Sequence, residues 1–161
     1  MDHVDSILEQ WALQRPDLDT SPMAVIGRLS RASAIVDAEL SANFARHGVD
    51  AATFDVLATL VRQGEPHQMT PAALAADAMI TTSAVAQRLN RLDTLGLITR
   101  HPDPADGRGK VVQLTPSGKE IVNRVLPAHL ATEAHLLRHF DSEQQEMLAA
   151  LLSHFSATPV R

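Results

Sequence analysis

The chain has 161 residues, about the size of one domain, and with 45% hydrophobic and 20% charged residues it holds enough apolar material for a core and gives no compositional case for disorder. It contains no cysteine, which excludes disulfides, thiolate metal sites and a thiol redox switch. The net charge of −5 argues against nucleic acid only as a sum: residues 66–119 hold six lysines and arginines against four carboxylates, whereas the segments on either side are acidic.

In chain order, Val4, Ile7, Leu8, Trp11 and Ala12 form one stripe of a short amphipathic helix that stops before Arg15-Pro16. This acidic start is unlike a secretory signal, and no run of about 18 apolar residues follows to span a bilayer, so a cytoplasmic protein with no membrane partner is expected. Ser21-Pro22 provides an N-cap and a first-turn proline for a long helix, which runs from Met23 to about His47, interrupted by Gly27 and ended by Gly48. Ala51 to Arg62 makes a third helix, closed by Gln63-Gly64-Glu65-Pro66.

From Thr70-Pro71 the elements shorten. One helix reaches Ala76, a second is capped by Thr81 or Thr82 and ends at Leu95-Gly96, and together they predict a helix-turn-helix. Leu97 to Arg100 and Lys110 to Leu114 have strand composition, and the turn formers between them predict a two-stranded hairpin with a long tip. Thr115-Pro116 starts a helix that continues around Pro127 to about Phe140, and Asp141-Ser142 starts the last one, through Phe155. The expected fold is mainly α with a small β wing, a winged helix-turn-helix inserted in a helical dimerisation frame. Residues 1–65 form the N-terminal frame, 66–118 the reading part and 119–161 the C-terminal frame. The terminal helices are too apolar to stand alone and are expected to pack in a homodimer.

Five segments match a known family in order and spacing. They are Thr70-Pro71-Ala72-Ala73-Leu74-Ala75, Thr82-Ser83-Ala84-Val85, Arg91 to Ile98, Asp103-Pro104-Ala105-Asp106-Gly107-Arg108, and Leu114-Thr115-Pro116-Ser117-Gly118. Together they resemble the winged helix-turn-helix of the MarR transcription regulators. The resemblance implies a dimer on double-stranded DNA, the second helix of the motif lying in a major groove and presenting its N-terminal side chains. Thr81, Thr82 and Ser83 suit phosphate oxygens, Gln87 and Arg91 suit base edges, and Arg108 at the wing tip, with Lys110 behind it, suits the minor groove. Plainer roles stand beside these: capping or solvation for the helix residues, and an Asp106–Arg108 pair that shapes the wing.

Outside the reading part, Trp11 followed by Arg15-Pro16-Asp17-Leu18-Asp19 resembles the urate-responsive and PecS-like branch of that family. The branch implies ligand residues at Trp11, Asp55, Arg88 and Arg100. An aromatic face and two guanidinium forks suit a small aromatic or heteroaromatic anion: urate, another purine, or an indole or aryl carboxylate. Asp55 would be repelled by that anion, moving the recognition helix and releasing DNA, as in a repressor that leaves a near-palindromic operator. Trp11 as packing mass, a fixed pair of Asp55 with Arg88 or Arg100, and Arg88 as a phosphate contact are the competing readings.

Two rivals follow from the residues alone. His129, Glu133, His135 and His139 have helical spacing that suits zinc, giving a metal-responsive regulator as the alternative. An enzyme is disfavoured, because no nucleophile elbow, phosphate loop or His-Glu-x-x-His motif is present, and no cofactor is implied. An adaptor that uses a winged helix without DNA would lack the basic residues Arg88, Arg91, Arg108 and Lys110.

Overall fold

The computed structural model describes residues 1–78, 82–103 and 109–157. The chain divides into two compact units, Met1–Leu40 and Ser41–Arg161. In the first, helix α1 (His3–Gln14) begins at Asp2, whose carboxylate accepts the Val4 and Asp5 N–H groups while Asp5 accepts the Asp2 N–H in return. This reciprocal cap satisfies amides that the first helical turn leaves without partners. Arg28 of helix α2 (Pro22–Arg46) then pairs with both carboxylates, at 2.8 Å to Asp2 and 2.6 Å to Asp5. Val4 is buried against Gly27, where an added Cβ would come within 3.4 Å of its Cγ1. Such a contact is of ordinary van der Waals length, so α1 lies close to α2 at the glycine that interrupts the α2 pattern.

The segment between the two helices is built by its own side chains. Arg15 donates through Nε and Nη2 to the two oxygens of Asp17, at 2.8 and 2.7 Å, and Asp19 accepts the Ser21 N–H at 2.9 Å where α2 begins. The Arg-Pro-Asp-Leu-Asp run thus has a local structural role as an ion-paired turn and a helix entry.

In the second unit, α2 ends at Gly48, which has φ +72°, with the Val49 N–H donating to the Phe44 carbonyl. Helix α3 (Ala51–Arg62) is the centre of this unit. Its Val56, Leu57 and Leu60 are fully buried, and it packs on helices α4 (Pro71–Asp77), α5 (Thr82–Thr94) and α6 (Pro116–Leu136) and on strand β3 (Lys110–Leu114). Each such side chain contributes roughly 1.5–3 kcal/mol by leaving water.

The sheet has three strands, not the two expected. Strand β2 (Ile98–Pro102) pairs antiparallel with β3, with Ile98 opposite Leu114 and Arg100 opposite Val112, and β1 (Gln68–Met69) adds to the other edge of β3, with Met69 opposite Val112. A strand of two residues has no periodicity to read; it exists because the β3 edge is there to pair with.

Helix α6 contains Pro127, as expected, but ends at Leu136 rather than near Phe140. Three-residue turns follow, with the Arg138 N–H donating to the His135 carbonyl and the Phe140 N–H to the Leu137 carbonyl. They lead into helix α7 (Ser142–Ala157), where Asp141 accepts the Gln144 N–H at 2.9 Å and the Gln144 side chain accepts the Asp141 N–H at 3.1 Å. That capping box sets the start of α7 and so the end of the turn before it.

Candidate nucleic-acid interface

Helix α5 has two opposed faces. Val85, Leu89 and Leu92 recur at helical spacing and are buried, which seals one face onto the unit. Ser83, Gln87, Asn90 and Arg91 are exposed on the remaining surface, and the Arg91 side chain is 65% exposed. Of the residues expected to contact DNA, Ser83, Gln87 and Arg91 therefore lie outward on one helix, and Lys110 is exposed at the start of β3, opposite Pro102. Thr81 and Arg108 lie outside the described residues, as do Asp106 and the Thr82 side chain. Where the hairpin is described furthest toward its tip, the Asp103 N–H donates to the Gly109 carbonyl at 2.9 Å.

The end of α5 is tied to the wing and to α6 by backbone chemistry. Gly96 has φ +68°, and the Leu97 N–H donates to the Leu92 carbonyl while the Gly96 N–H donates to the Asp93 carbonyl. This pattern satisfies the last helical carbonyls and turns the chain directly into β2. Thr115 meets the same corner: its hydroxyl donates to the Gly96 carbonyl at 2.8 Å and accepts the Gly118 N–H at 3.1 Å. A Cβ at Gly118 would collide with the Leu97 carbonyl oxygen. The Thr-Pro-Ser-Gly run is thus a cap joined to a close backbone approach.

Arg88 lies between the two faces and is 22% exposed. Its Nη1 donates to Asp50 Oδ2 at 2.9 Å and lies 3.4 Å from the Thr53 hydroxyl, while Arg91 Nη1 is 3.9 Å from the same Asp50 oxygen. Asp50 is the N-cap of α3, its Oδ1 accepting the Thr53 N–H at 2.8 Å. Burial works against its ionisation, but the Thr53 N–H and hydroxyl and the charges of Arg88 and Arg91 outweigh this and hold its carboxyl below the usual carboxylate range. Arg100 of β2 makes a parallel clasp on α5, donating to Asn90 Oδ1 at 2.7 Å and pairing with Asp93 at 3.3 Å. Arg88 is thus paired with Asp50 and Arg100 with Asp93. Asp50 carried no role in the sequence analysis, and its partner 38 residues away leaves no local signal.

Of the four expected ligand residues, Arg88 stands on α5, Arg100 reaches α5 from β2, Asp55 is half-buried on α3, and Trp11, 40% exposed, belongs to the first unit. A cleft of about 490 Å³ in the second unit is lined by Val49, Asp50, Arg91, Leu95, Leu97 and Ile121. The metal alternative finds no support: among the described residues no three histidines or carboxylates converge. His129 instead stacks on Phe44 and lies against Phe54, each with ring centroids 5.2 Å away, and its Nε2 is 3.1 Å from Glu133. His135 and His139 join no ligand set with that pair. Among the described residues no helix is long and apolar enough to cross a membrane.

Two helices in a helix-turn-helix order, a sealed and an exposed face on the second, and an antiparallel wing behind it define a winged-helix DNA-binding module. The MarR family model matches residues 47–109. The regulator PecS of Dickeya dadantii is 40% identical over 149 residues, covering 92% of this chain and 90% of that protein. Sco3205, a MarR family transcriptional regulator from Streptomyces coelicolor solved in complex with DNA, shares the fold with a TM-score of 0.79 at 23% identity, over 88% of this chain and 94% of that one. BpsR of Bordetella bronchiseptica, whose DNA binding is regulated by 6-hydroxynicotinic acid, shares it with a TM-score of 0.76 at 24% identity, over 84% and 94%. The chain belongs to the MarR family: it is a DNA-binding transcriptional regulator, not an enzyme.

Proposed function

We propose that the chain is a homodimeric cytoplasmic repressor that holds a near-palindromic operator with one α5 helix in each of two successive major grooves, and that a small aromatic or heteroaromatic anion releases it. The observation that carries the DNA reading is the exposed row Ser83, Gln87 and Arg91 on a helix whose other face is sealed. In this reading Thr81, Thr82 and Ser83 meet phosphate, Gln87 and Arg91 meet base edges, and Arg108 and Lys110 act from the wing. Residues 1–65 and 119–161 supply the dimerisation frame and 66–118 the reading part. The dimer reading is supported by apolar side chains left exposed along the long helices, among them Ile35 on α2, Leu130 on α6, and Leu151 and Phe155 on α7.

For the effector, Arg88 and Arg100 supply fork-shaped charge on α5 and at its wing clasp, with Asp55 as the carboxylate that the anion repels and Trp11 as the ring face. An anion that takes Arg88 must also displace Asp50, which holds it at 2.9 Å. The regulation of BpsR by an aromatic carboxylate adds support, whereas the cleft beside Arg91 is lined by none of Trp11, Asp55, Arg88 and Arg100. The test begins with selection of a duplex from a random-sequence library by the purified protein. Urate, indole carboxylates and aryl carboxylates are then titrated for release of that duplex, with Trp11 fluorescence followed in parallel. Release by one of these with quenching of Trp11 is expected. Release without quenching removes Trp11 from the site, and retention of the duplex by every anion refutes the effector class.

A further inference from the structure

Asp50 lies within 4 Å of two arginines of α5, Arg88 at 2.9 Å and Arg91 at 3.9 Å. Its geometry is over-determined. Oδ1 is committed to the Thr53 N–H at the start of α3, so Oδ2 points in a fixed direction, and that direction meets Arg88 Nη1. The Val85, Leu89 and Leu92 stripe fastens α5 to the core through contacts that have no strong directionality, and Arg100 clasps its later turns at Asn90 and Asp93, so the side of α5 that faces α3 is where a further directional contact acts. A charge-assisted hydrogen bond from Arg88 to an immobilised oxygen supplies that contact. Arg88 also follows Gln87 in sequence and borders the exposed row, so its release would place a further cation at the DNA-facing surface.

We infer that Asp50 is a positioning residue for DNA reading: by holding Arg88 back against the first turn of α3, it sets the rotation of α5 that presents Gln87 and Arg91, and it keeps Arg88 from making indiscriminate phosphate contacts. This rests on the reading of DNA by α5 but not on any effector. The pair is half-exposed, with side-chain exposures of 22% for Arg88 and 46% for Asp50, so its contribution to stability is small and its consequence lies in orientation.

Asp50→Asn separates the two roles, because asparagine caps a helix as well as aspartate does but brings no charge to Arg88. Binding is measured for the duplex selected by the wild-type protein and for a scrambled duplex of the same composition, across a salt series, in Asp50→Asn, Arg88→Gln, the double variant and Arg91→Ala. Asp50→Asn is expected to keep the thermal midpoint within about 2 °C. Its preference for the selected duplex should fall about 5- to 10-fold, the size of a coupling between paired side chains. The salt dependence on the scrambled duplex should steepen by about one released counterion per protomer, and the double variant should discriminate no worse than Arg88→Gln alone. Equal strengthening of both duplexes by Asp50→Asn would overturn the inference, since that is the simple loss of a negative charge, and so would additive losses in the double variant. If Arg91→Ala weakens the selected duplex while Asp50→Asn keeps full discrimination, only the role of Asp50 fails. If Arg91→Ala has no effect, the reading by α5 fails and this inference with it.

Discussion

The region around α3 and the long helices of the frame are made of similar residues and bury them differently. In the first, Leu57, Leu60, Leu74 and Leu92 are removed from water entirely within one chain. In the second, Ile35, Leu130, Met147, Leu151 and Phe155 stay exposed on α2, α6 and α7, the last two of which are capped by Thr115 and Asp141. The difference teaches that helix-forming signals and burial are separate problems. The unit around α3 closes its own core, whereas the described parts of α2, α6 and α7 leave apolar side chains exposed, which a second copy would cover in the proposed dimer.

The sharpest way to break this contrast is to damage each side in turn. Leu57→Ala should destabilise the unit around α3 by about 2–5 kcal/mol, independently of protein concentration, because it empties a fully buried site. Chemical denaturation at two concentrations checks it. Gly118→Ala should cost about 1–3 kcal/mol, since its Cβ enters the Leu97 carbonyl and must push α6 away from the corner before β2. The same measurement applies, with α5 and wing amides expected to lose hydrogen-exchange protection first. Leu151→Ala, at a side chain 63% exposed in the chain alone, should cost about 1–2 kcal/mol only where the dimer forms, so its penalty should vanish on dilution. Equal penalties at all concentrations would erase the distinction between the two regions.

The smallest effect is electrostatic and sharpens the link between α3 and α5. The folded carboxyl of Asp50 lies below its ordinary value, so its ionised form is favoured by folding. Its contribution is complete above the unfolded value, near pH 4, and is lost as pH falls through the lowered folded value. The acid limb of the stability curve should therefore flatten slightly in Asp50→Asn, by less than about 1 kcal/mol for so exposed a pair.

Much of this molecule was legible because its signals are local. Ser21-Pro22, Thr70-Pro71, Thr115-Pro116 and Asp141-Ser142 each stand at the start of the helix they announced, and Gly48 and Gly96 take the left-handed conformation expected just past a helix. Gln87 and Arg91 were singled out for their place on the second helix of the motif and for their length and donors, and both are exposed while Val85, Leu89 and Leu92 of the same helix are buried. Features that depend on pairing across the chain were not legible. Strand β1 is two residues that acquire their conformation from β3, and Arg88 finds Asp50 across 38 positions. The early end of α6 was hidden for a related reason, since the capping box at Asp141 and Gln144 competes with the continuation of the preceding helix. His129 has the spacing of a metal ligand and the surroundings of a stacked core side chain between Phe44 and Phe54, and spacing alone does not separate these.

Hydroxyl-radical footprinting of the protein on the duplex it selects examines the main claim without intermediaries. The account predicts two protected windows related by a dyad and centred about one helical turn apart, roughly 10 base pairs, both weakened together by Gln87→Ala or Arg91→Ala. A single window, or two windows that neither substitution alters, would contradict it.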